Sequence, residues 1–178
     1  MTFHKSYLLR LLTVIIFGTL SSVIGVKAQP ITELRVIGNS VPFYFNTMQQ
    51  FQSGITLNDW TTIRIRFQIT GKTAWQVVAL AVDPSIEHQD GAHSIPLTNF
   101  TITINKSSIT ATNTVPSYTT PFTPTTTEIP LIWGAVTNTL QVVTVDFKIS
   151  YSISLAGLGS LPDGRYYVPL KMELKEMP

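Results

Sequence analysis

The chain has 178 residues, with 12 Lys and Arg, 10 Asp and Glu, no Cys and a formal net charge of +2. That length suits one domain with a real core. The missing cysteines exclude thiol catalysis, thiolate metal centres and a disulfide framework.

The first 28 residues read as an export signal. His4, Lys5 and Arg10 surround a basic start, and Leu11 to Leu20 is apolar except for Thr13, Gly18 and Thr19. Val26-Lys27-Ala28 offers a cleavage point before Gln29. The apolar run is short for a membrane span of about 20 residues, so residues 29–178 are expected as a single domain without a membrane span. Without Lys5, Arg10 and Lys27 the chain keeps 9 basic residues against 10 acids, a net charge of −1. No basic stripe remains for nucleic acid. Export without cysteine fits the bacterial periplasm or cell surface better than a disulfide-braced secreted domain.

From there the chain alternates as strands do. Ile31 to Ile37 places Leu34 and Val36 on one face, and Gly38-Asn39 turns into Val41 to Phe45. Pro42 lacks an amide hydrogen and favours an edge. Phe51, Ile55, Leu57 and Trp60 punctuate what reads as a polar connector. Thr62 to Thr70 alternates with Ile63, Ile65, Phe67 and Ile69 inward, and Gly71-Lys72 turns into Ala74 to Val82, apolar on both faces. Ser85 to Ser94 reads as a polar loop. Leu97 to Asn105 alternates again; Ser107 to Thr127, rich in Ser, Thr and Pro, reads as a long surface crossover with one or two short strands in preference to a mucin-like stalk, and Ile129 to Trp133 is a candidate for one of those strands.

The organising stretch is Val143 to Leu155. Every odd position is apolar and every even one from Thr144 to Ser154 is polar. Side chains on a strand point alternately to opposite faces, so this is one long strand with a buried and a wet face. Ala156 to Gly164 holds dense turn chemistry, and Arg165 to Leu174 alternates once more. Those last two strands are expected as an antiparallel hairpin. With no helix of useful length, the fold class is all-β, an antiparallel two-sheet sandwich of broadly Ig-like architecture.

Chemistry is sparse. The motifs Gly-x-Ser-x-Gly and His-Glu-x-x-His and a phosphate-cradling glycine loop are all missing. No catalytic residue, cofactor or metal is therefore expected. The densest group of metal-ligand types is Asp83, Glu87, His88, Asp90 and His93, but its spacing matches no established ligand pattern and Gly91 suits an ordinary turn. A solvated loop is expected. Trp60, Tyr118, Phe122 and Trp133 lie in or near loops, where aromatic rings could stack on a glycan. The blander expectation is that they plug the ends of the sandwich.

Three stretches together resemble secreted β-sandwich subunits of bacterial surfaces, the fimbrial (pilin-like) and spore-coat-U-like group. They are the strand Ile63 to Ile69 leading to Trp75-Gln76-Val77, the segment Ile95-Pro96-Leu97-Thr98-Asn99-Phe100, and the ending Leu161-Pro162-Asp163-Gly164-Arg165-Tyr166 with its final strand. The resemblance implies a structural or adhesive surface subunit that is not an enzyme. Other surface subunits would be its partners, through strand exchange or edge pairing. The alternative is a carbohydrate-binding module built on the loop aromatics. Ile31 to Ile37 is a candidate donated strand, weighed against a plain first strand of its own domain.

Overall fold

The computed structural model describes residues 32–38, 41–68, 74–136, 141–156, 158 and 160–177. The export signal, Ile31, Asn39, Ile69, Gly71-Lys72, Gly157 and Gly159 lie outside them. The organising strand, β10, runs Val142–Ile153. Val143, Val145, Phe147, Ile149, Tyr151 and Ile153 are buried, and Leu155 just beyond is buried too. The even positions are half-buried or exposed.

β10 is central to the first of three antiparallel sheets. It lies between β3 (Ile55–Gln68) and β7 (Phe100–Thr112), and β3 also pairs with β1 (Thr32–Ile37). In the second sheet, β2 (Phe43–Phe45) pairs with β11 (Gly164–Tyr167), then come β5 (Ser85–His88) and β6 (Ser94–Pro96). The third runs from β12 (Leu170–Met177) through β4 (Ala74–Ala81) and β9 (Ile129–Val136) to β8 (Thr114–Tyr118). Ring contacts tie the first sheet to both others. Phe100 meets Phe43 edge-on at 5.8 Å, and Phe67 tilts against Trp75 at 5.6 Å. The buried Trp75 Nε1–H donates to Thr114 Oγ1 at 3.0 Å, so its polar atom is satisfied.

Five expectations are corrected. The last two strands do not form a hairpin, because both edges of β10 are occupied by β3 and β7. The final strand is also broken at Val168-Pro169. Its first half pairs with β2 and β5, its second with β4. The partner strand steps at the same place, between β4 and β5, and the Val82 amide donates to the Pro169 carbonyl across the step at 2.9 Å.

The Ser85–Ser94 stretch is not simply a loop. Its ends are β5 and the start of β6, paired Ser85 to Pro96, Ile86 to Ile95 and Glu87 to Ser94. Ile86 and Ile95 are fully buried. The connector before Thr62 is a short helix, α1 (Met48–Ser53), followed by the first half of β3. Thr47 and Gln50 form a reciprocal capping box that starts α1. Leu97–Asn99 is a single 3₁₀ turn, so the strand after it begins only at Phe100.

Candidate functional site

Two edge strands face one another across a cleft with apolar walls. β1 ends the first sheet and β12 ends the third, and among the described residues neither has a partner on its outer side. β1 keeps six unbroken pairs with β3, and β12 keeps eight with β4. The cleft between them measures about 160 Å³. Val36 of β1 lines one wall, and Val168, Leu170 and Met172 line the other.

The floor is polar but internally satisfied. Tyr151 Oη–H donates to Thr61 Oγ1 at 2.9 Å, and Thr61 Oγ1–H donates to the Gly38 carbonyl at 2.7 Å. Thr61 is 1% exposed, and a buried hydroxyl without such partners would be costly. Burial pushes the Tyr151 phenol up from its ordinary value, and the Thr61 contact partly offsets this. Gly38 has φ +83, and a Cβ there would lie 2.6 Å from the Trp60 carbonyl oxygen. Only glycine lets β1 end this close to β3.

The cleft thus offers free strand edges, apolar walls and a floor whose hydroxyls are already paired. The edges can accept a further strand, and the cleft has room for an apolar side chain of it between the walls. Alternation in the sequence puts Leu34 and Val36 on one face of their strand and Leu170 and Met172 on the inward face of theirs, but does not reveal that the two strands confront each other. Val41, Thr61 and Tyr151 join them from other elements, and nothing in linear spacing announces that.

The five ligand-type residues separate. His88, Asp90 and His93 come together, with one ligand atom from each lying within 4.8 Å of the others. Glu87 instead turns to the Ser85 hydroxyl, and Asp83 is outside the group. The Ala92 amide, both imidazoles and the His93 amide hold the Asp90 carboxyl well below the usual carboxylate range.

The aromatics do not assemble on one sheet. Trp60 is half-exposed on β3 of the first sheet, while Tyr118 and Trp133 lie on β8 and β9 of the third. Phe122, after β8, is buried and makes a backbone bridge to Ile102, so it has no face free for a sugar. Asn99-Phe100-Thr101 and Asn105-Lys106-Ser107 match the N-glycosylation pattern, but Asn99 and Asn105 use their side-chain amides internally, on the Ser154 carbonyl and the Asp59 carboxylate. No family model and no curated protein matches the chain.

Proposed function

We propose that this protein is a non-enzymatic structural or adhesive subunit of a bacterial surface or extracellular assembly. It is exported with residues 1–28 as its signal and is built as a pilin-like, Ig-like sandwich. The second and third sheets then serve as one bent layer. The support is that β5 and β4 pair in succession with β11 and β12, with the Val82 to Pro169 bond across the step. Sheet one packs on both parts through the Phe43–Phe100 and Phe67–Trp75 contacts.

The observation that carries the reading is the cleft between β1 and β12. Its occupant is an extended strand of a second copy, which would pair with a free edge and place alternate side chains between the walls. Light scattering after size exclusion tests this. The wild-type chain is expected to associate increasingly with concentration, while Met172→Glu, carrying a charge into the cleft, stays monomeric with an unchanged far-ultraviolet spectrum. A wild type that stays monomeric throughout, or a variant that associates equally well, overturns it.

A further inference from the structure

We infer that His88, Asp90 and His93 form a binding site for a divalent transition-metal ion of the zinc class. The inference is independent of the subunit reading. It begins with His88, whose ring is 4% exposed at the end of β5. Its Nε2 lies 3.2 Å from the Asp163 carbonyl oxygen. A carbonyl only accepts, so Nε2 carries a hydrogen, and in the neutral ring Nδ1 then presents a lone pair. The Asp90 amide donating to Nδ1 at 3.3 Å agrees with that tautomer.

The ring is also built in from behind. Tyr166 packs against it at 4.7 Å between ring centres. A Cβ at Gly164 would lie 2.6 Å from Nε2, so the glycine leaves the space that the ring occupies. A buried imidazole fixed by a backbone carbonyl through its far nitrogen is the usual support of a metal-binding histidine.

The near nitrogen is then left in an awkward contact. His88 Nδ1 is 2.9 Å from Asp90 Oδ1, a contact that calls for positive charge between them, from a proton on Nδ1 or from a bound cation. On the other side of the same carboxylate, His93 Nδ1 is 2.7 Å from Oδ2. A cation held among the three groups converts these contacts into attraction. Tetrahedral zinc, with bonds of about 2.0–2.1 Å, needs ligand atoms roughly 3.3–3.5 Å apart. The Asp90 contacts, at 2.9 and 2.7 Å, open to reach that, within a cluster whose ligand atoms all lie within 4.8 Å of one another. Two nitrogens and one carboxylate select zinc, cobalt, nickel or copper over calcium, which takes oxygen ligands. The ion would clamp the turn between β5 and β6, and through His88 and Asp163 the entry to β11.

The competing source of positive charge is a proton on His88, and titration separates the two. The full chain, free of any affinity tag and stripped with chelator, is titrated with zinc by calorimetry and with cobalt by visible absorption. One equivalent is expected, with a tetrahedral-type cobalt spectrum and a higher melting temperature in zinc. His93→Ala and Asp90→Asn are expected to weaken binding by at least about 100-fold. His93 is half-exposed, so its replacement leaves the fold intact. His4→Ala, which removes the one other histidine, is expected to bind as wild type does. Failure of the wild type to take up one equivalent overturns the site. So does binding that survives both His93→Ala and Asp90→Asn, or that is lost in His4→Ala.

Discussion

Phe147 and Lys148 are neighbours in sequence and opposites in environment. Phe147 is 1% exposed opposite Ile63, whereas the Lys148 side chain faces water. Truncating a buried phenylalanine removes its transfer free energy and leaves a cavity, about 3–5 kcal/mol. Phe147→Ala is therefore expected to lose that much in denaturant melts and Lys148→Ala almost nothing. Equal losses would mean that the register of β10 is off by one. Tyr151 gives a second expectation at this scale. Its phenol is raised by burial, so the folded chain disfavours the phenolate that the unfolded chain forms freely. The stabilisation is complete below the unfolded value of about 10 and is lost as pH rises beyond it. Tyr151→Phe is expected to reduce alkaline destabilisation measured by melts across that range. At neutral pH it should lose about 1 kcal/mol, the net worth of the hydrogen bond to Thr61.

At the scale of elements, β1 decides between two roles. It pairs with β3 of its own chain over six residues, and Leu34 and Val36 pack on the core. Deleting Gln29 to Gly38 is therefore expected to lower the melting temperature sharply, as loss of an integral strand must. A deletion variant that melts like wild type but no longer associates would restore the donated-strand role. The elements also show what a sequence reveals. β10 and the Ile63–Phe67 part of β3 were legible because a period of two over many residues leaves no other structure for the apolar face. β5 and β6 were not, since Ser85–His88 and Ser94–Pro96 are too short for a period to emerge from polar surroundings. Pro169, lacking an amide hydrogen, suits the edge of a sheet when the sequence is taken alone. The structure shows instead a step that moves the chain from one sheet to another, which depends on the matching step at Val82 and so on pairing across the fold.

For the molecule as a whole, the all-β, antiparallel character followed from local alternation, but the arrangement of sheets did not. The cleft joins Val36, Thr61, Tyr151 and Met172, residues far apart in the chain, and only folding brings them together. The histidine cluster lies between the opposite ends: all its residues fall within six positions, yet its order depends on Asp163, Gly164 and Tyr166 from the other end of the chain. The central claim is that the edges of β1 and β12 are left open for a strand of a second copy. Amide hydrogen exchange over Leu170–Met177, compared between monomer and concentrated, associated protein, tests it most directly. Those amides that point away from β4 are expected to exchange readily in the monomer and to gain protection on association. Association that leaves exchange across Leu170–Met177 unchanged, or protection already complete in the monomer, would contradict the account.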